Sequence, residues 1–179
     1  MLQLFTQNGL EAEAGLIQPT ETRKLMVQQL IVFRLGEEEY GLTIEQVKEI
    51  VVTPPIARIP LMPTYVKGVA NVRGNILAII DLAEKFGLNG SQPSLEEEAV
   101  KSFILVMESD TLKMGILVRE VPSTLSVAQE QIESSPALVH DSSEDNQSIK
   151  GIIRVGTRLI ILIDVYQIIS KEILQKVSS

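Results

Sequence analysis

Hydrophobic positions along the chain fall into short runs rich in Val, Ile and Leu, separated by turn residues. Runs of this length, bounded by Gly, Pro, Asn or Asp, predict strands rather than helices. "VQQLIVFRL" (27–35) leads through Gly36–Glu39 into "YGLTI", a hairpin pattern, and "QVKEIVV" follows as a third strand. After "TPPIARIPLMPTY", a loop with four prolines, come "VKGVANV" and "NILAII". The second half supplies "KSFILVM", "KMGILV", "PSTLSV", "SIKGIIRV" and "RLIILI", for about ten short strands in all. Evenly spaced short strands predict small barrels, in which closure removes exposed sheet edges.

The pattern repeats. "KGIIRVGTRLIILIDVYQII" (150–169) aligns without a gap on "KGVANVRGNILAIIDLAEKF" (67–86), at an offset of 83 residues. Lys67 meets Lys150, Gly68 meets Gly151, Ile80 meets Ile163 and Asp81 meets Asp164. Upstream, "YGLTIEQV" (40–47) aligns on "MGILVREV" (114–121), pairing Gly41 with Gly115 and Val47 with Val121. Two copies predict two similar subdomains rather than a solenoid, which needs three or more repeats. The expected bounds are 26–88 and 99–164, interleaved in a single domain spanning 26–176.

Asp81 and Asp164 each follow an apolar strand and precede a helical pattern. An Asp in that place accepts hydrogen bonds from the free N–H groups of the first helical turn, so both are assigned as structural helix caps. The second helix, 165–176, is amphipathic, with Val165, Ile168, Ile169 and Ile173 near one face and Val177 just beyond. Residues 1–25 lack sustained periodicity and read as a mobile arm. Residues 88–99 read as a linker, and the polar stretch 133–147 as a loop.

Composition narrows the function. The formal net charge of −7 disfavours a nucleic-acid or anionic-membrane binder. The chain has no Trp and only 4% aromatic residues, so base-stacking platforms are not expected. Cys is absent, which removes disulfides and thiolate metal sites and makes the cytoplasm the default compartment. No apolar run is long enough to span a membrane, and the start of the chain does not resemble a signal peptide.

Catalytic signals are weak. His140 is the only histidine, and with Asp141 and nearby serines it supports only a weak alternative, a small hydrolase. A triad is built in space on rigid supports, and adjacent loop residues do not make one. A single His without Cys also argues against a transition-metal site, and no phosphate-binding Gly motif is present.

The ordered set Phe33, Leu35, Gly36, Tyr40, Gly41, then Val47, Glu49, Ile50, then Pro60, Pro63, Tyr65, Val66, Gly68, Val69, then Arg73, Gly74, Ile80, Asp81 and Leu82 resembles the CheW-like family of bacterial signalling adaptors. "GILVREV" and "GIIRVGTRLIILIDV" extend the resemblance through the second copy, from about 27 to 176. Two departures stand out. Val72 replaces the usual Leu of an Asn-Leu-Arg-Gly turn, and Arg119 stands where an acidic residue is usual.

The resemblance implies a mainly β fold of two tandem SH3-like five-stranded β-barrels, with a short helix after each and a shared hydrophobic junction. It implies a non-enzymatic adaptor with no cofactor, bridging a methyl-accepting chemoreceptor and a CheA-type histidine kinase. The same chemistry in a type IV pilus or another chemosensory pathway remains open. Val47, Glu49, Arg73 and Gly74 fall on the receptor-binding side by this resemblance, and the kinase-binding residues are not assigned. Arg73 is expected at a strand end, facing outward, with Glu49 on the neighbouring strand. At the turn matching Arg73-Gly74 the second copy has Gly156-Thr157. The fold therefore tolerates an uncharged residue there, which favours binding over structure as the task of Arg73.

Overall fold

The computed structural model describes residues 26–88, 101–134 and 148–169. The described strands are, in the first half, β1 (Val27–Leu35), β2 (Glu38–Thr43), β3 (Val47–Val52), β4 (Ile56–Ala57), β5 (Val66–Val72) and β6 (Asn75–Ile80). The second half carries β7 (Phe103–Glu108), β8 (Lys113–Val118), β9 (Ser123–Ala128), β10 (Ile132–Glu133), β11 (Ile149–Val155) and β12 (Arg158–Ile163). Helix α1 (Leu82–Lys85) follows β6, and a second helix, α2, opens after β12 and is helical over 165–169.

The strands form two six-stranded sheets, ordered β10-β11-β12-β2-β1-β9 and β3-β7-β8-β6-β5-β4. In each sheet the two edge strands are consecutive in the chain. Val52 and Ile56 bound β3 and β4, and Ala128 and Ile132 bound β9 and β10. Four residue steps reach at most about 14 Å. Six flat strands would hold their edges about 24 Å apart. Each sheet must therefore roll up, and the expected mainly β architecture of two small barrels is observed, with six strands in each rather than the expected five. The two-residue strands β4 and β10, absent from the sequence reading, pair with β5 and β11 at the far edges.

The expected subdomain bounds 26–88 and 99–164 require correction. The second barrel is continuous from β3 to β8, whereas the first joins β1 and β2 to β9 through β12. Each sequence copy thus lends its first hairpin to the barrel of the other. The exchange is symmetric in register: β2 runs parallel to β12 with Gly41 opposite Leu162, and β8 runs parallel to β6 with Gly115 opposite Ile79. The bounds inferred from the repeat describe the copies, not the barrels. The remaining expectations for 1–25, 88–99, 133–147 and the end of the second helix fall wholly or mainly outside the described residues.

Three apolar clusters explain the strand patterns. Leu77, Ile79, Ile104 and Val106 fill one barrel, and Leu30, Val32, Ile153 and Ile160 the other. The largest cluster lies between the barrels and contains Phe33, Tyr40, Leu42, Ile80, Leu82, Leu105, Met107, Ile116, Ile163 and Val165. The strands facing this junction are buried on both sides, which is why "LIVF", "FILVM" and "GILV" read as unbroken apolar runs. By contrast, β3 alternates half-buried and exposed positions. Phe33 stacks near Tyr40 at 6.4 Å, and Tyr40 near Phe86 at 5.8 Å between ring centroids. Burial and the Glu38 carboxylate, to which Tyr40 Oη donates at 2.8 Å, push the Tyr40 hydroxyl pKa up.

Candidate functional site

The hairpin between β5 and β6 turns in two residues, Arg73 and Gly74, with φ of +50° and +85°. Positive φ at both central positions is the geometry of the type I′ turn, whose twist matches that of paired strands. Gly74 occupies this region without steric cost, whereas Arg73 carries a Cβ into it. The matching turn of the second copy has a positive φ only at Gly156, +61°.

The Arg73 side chain is 75% exposed and places Nε 2.8 Å from Glu49 Oε2. Glu49 stands on β3, which pairs with β7 and not with β5 or β6. The expectation that Arg73 and Glu49 lie on neighbouring strands is therefore corrected: the curl of the barrel, rather than ladder pairing, brings them together. A register shift between Val47 and Glu49 bulges β3 at Lys48. Such bulges re-aim side chains, and Lys48 pairs with Glu108 across the sheet. Lys113 Nζ also lies 2.8 Å from Glu108. These two lysines hold the Glu108 carboxyl down at about 2, from an ordinary 4.5. A shallow cleft beside the pair is lined by Lys48, Glu49, Val72, Asn75, Glu108 and Lys113.

Of the four sequence-assigned residues, Glu49, Arg73 and Gly74 share this end of the barrel. Val47 is different in kind: it is half-buried and packs against the junction core. On the face of β3 opposite Glu49, Ile50 and Val52 are exposed, and Ile76 follows the turn at 64% exposure.

Both capping aspartates are placed as expected. Asp81 Oδ1 accepts from Glu84 N at 3.2 Å, and Asp164 Oδ1 accepts from Tyr166 N at 3.0 Å and Gln167 N at 3.3 Å. Asp81 is fully buried. Arg119 Nη2 donates to its Oδ2 at 2.8 Å, and Lys67 Nζ lies 3.8 Å away. Lys150, the repeat equivalent of Lys67, sits 3.1 Å from Asp164. Arg119, noted in the sequence as a departure, thus serves a buried carboxylate contributed by the other copy. In the first barrel the parallel seam carries a counterpart: Arg158 donates from Nε (2.9 Å) and Nη2 (2.8 Å) to the two oxygens of Glu39. Arg158 holds Glu39 below its ordinary 4.5. The sequence marked Arg119 as unusual but carried no signal for its partner, because the contact crosses the hairpin exchange. His140 and Asp141, the residues of the hydrolase alternative, lie outside the described residues.

Two rolled barrels surround a shared apolar junction, and one barrel end carries an exposed ion pair. The family model described as CheW-like domain matches residues 29–172. The chain belongs to the CheW-like family of chemotaxis adaptors. It is 34% identical over 151 residues to "Chemotaxis protein CheW" of Treponema pallidum (strain Nichols), covering 84% of this chain and 87% of that one. It is 35% identical over 145 residues to the protein of the same name from Klebsiella aerogenes, covering 81% and 83%. The crystal structure of the scaffolding protein TtCheW from Thermoanaerobacter tengcongensis matches with a TM-score of 0.65 at 29% identity, covering 84% of this chain and 93% of that one. Among the described residues, no helix is long and apolar enough to cross a membrane.

Proposed function

We propose that this chain is a non-enzymatic adaptor that couples a methyl-accepting chemoreceptor to a CheA-type histidine kinase in the cytoplasm. The receptor contacts the end of the second barrel through Glu49, Arg73 and Gly74, with Val47 supporting β3 from the junction side. The observation that carries this reading is the Arg73–Glu49 pair itself. It is solvent-facing, it joins two strands that do not pair, and it rests on an Arg held at positive φ. A fold-only requirement would be met better by Gly, as at Gly156. Ile76, two residues beyond Gly74 and exposed, supplies apolar area next to the turn, and charge beside apolar area is a combination that recognition surfaces use.

The test is a pair of affinities on one preparation. Arg73→Ala should weaken binding to a receptor cytoplasmic fragment tenfold or more, about 1.4 kcal/mol, and leave kinase binding unchanged. Equal loss toward both partners, in proportion to unfolded protein, would make Arg73 structural and the assignment wrong.

A further inference from the structure

We infer that Asn71 is a positioning residue for the Arg73–Glu49 pair. The inference rests on the proposed role of that pair. Asn71 lies near the end of β5 with its side chain exposed, so packing does not explain it. Its Oδ1 accepts the backbone N–H of Gly74 at 2.9 Å. That bond ends on the second turn residue and ties it to the strand. Arg73 sits between its ends at a φ of +50°, a region that residues with a Cβ rarely occupy. The two-residue hairpin itself requires positive φ at Arg73. The bond from Asn71 fixes Gly74, and with it the direction in which the Arg73 side chain leaves the turn, keeping Nε within reach of Glu49.

The chain contains its own control. At the offset of 83, Arg154 stands where Asn71 does, and Gly156-Thr157 stand where Arg73-Gly74 do. The β11–β12 hairpin still closes, pairing Val155 with Arg158 as β5–β6 pairs Val72 with Asn75. A side-chain amide is therefore not required to close this hairpin. The copy that has the Asn is the copy that has a charged side chain to aim.

The experiment uses the full chain and reads the guanidinium directly. The Arg73 Nε–Hε resonance is followed by NMR in wild type, Glu49→Gln, Asn71→Ala and Arg73→Ala, the last to assign the signal. Asn71→Ala should move the resonance toward its Glu49→Gln position. In parallel, affinity for a chemoreceptor cytoplasmic fragment is measured for the two alanine variants and the double variant. Asn71→Ala should lose about threefold, and the double variant should bind no worse than Arg73→Ala alone, because Asn71 acts only through Arg73. An unmoved resonance, or losses that multiply in the double variant, would overturn the positioning role. If Arg73→Ala binds the fragment as wild type does, the receptor-side reading falls, and the resonance still decides for or against Asn71.

Discussion

Arg73 Nε lies 2.8 Å from Glu49 Oε2, although the strands that carry them are not hydrogen-bonded neighbours. With Arg73 three-quarters exposed, such a pair contributes about 0–1 kcal/mol to stability. Arg73→Ala should therefore melt within a few degrees of wild type. Arg73→Gly should be the more stable of the two by about 1 kcal/mol, because Gly relieves the positive φ. That corresponds to about 2–4 °C in Tm for a chain of this size. Differential scanning calorimetry on the two variants checks the order. Arg73→Gly melting below Arg73→Ala would show that the turn is not strained.

Asp81 presents a different balance. It is buried, caps α1, and has Arg119 and Lys67 as cationic partners. A buried charge stripped of its partner is costly, but Arg119 is 42% exposed and Lys67 remains. Arg119→Ala should cost about 1–2 kcal/mol, below the 3–5 kcal/mol typical of a fully buried pair. Asp81→Ala should cost about 2–4 kcal/mol, since it removes the cap and the buried acceptor of Arg119, although Lys67 keeps Glu84 as a partner. Urea denaturation of both variants reads the values. Equal midpoints for Arg119→Ala and wild type would refute the pairing.

The exchange seams carry a steric test. A Cβ on Gly115 would stand 2.5 Å from Ile104 Cγ2 and 2.8 Å from Ile79 Cδ1, while one on Gly41 would meet Ile160 Cγ2 at 3.3 Å. The repeat makes these glycines equivalent, but the two seams are not equally tight. Gly115→Ala should destabilise by about 1–3 kcal/mol through overpacking, and Gly41→Ala by less. Chemical denaturation giving the reverse order would contradict the register of the β6–β8 seam.

Acid behaviour follows from Glu108 and Glu39. Their cationic partners hold both carboxyls below the ordinary 4.5, Glu108 at about 2. A lowered native value means that the contribution is fully present above 4.5 and is lost as pH falls toward the native value. Stability should therefore decline below about pH 4.5, and Glu108→Gln should shallow that decline. A thermal-melt series from pH 6 to 2.5 measures it. An acid limb of the same slope in the variant would remove Glu108 from the account.

The strands were legible because barrel and junction faces impose plain periodicities. "VKGVANV" and "NILAII" match β5 and β6 residue for residue, and the Asp81 cap follows from a strand running into a helix. The short strands β4 and β10 were not legible, since two residues carry no period and β4 lies in a proline-rich loop. Interleaving is expected from the sequence, but which hairpins are exchanged is not legible, for a physical reason. β1, β7 and β8 of the exchanged hairpins carry apolar runs buried on both faces, so their pattern suits either barrel. The Arg73–Glu49 contact was foreseen, but on neighbouring strands, since closure of the barrel is a property of the whole sheet. Arg119–Asp81 and Arg158–Glu39 join residues of different copies, and no local pattern encodes such a meeting.

An adaptor of the proposed kind must engage kinase and receptor at once, with Arg73 serving only the receptor. Kinase autophosphorylation should be measured with a CheA-type kinase, a receptor cytoplasmic fragment and this protein, omitting each in turn. The kinase rate should respond to the receptor only when the protein is present. Arg73→Ala should abolish that response while still binding the kinase, and no phosphate should pass to the protein. A receptor response that persists without the protein, or phosphate transferred onto it, would contradict the account.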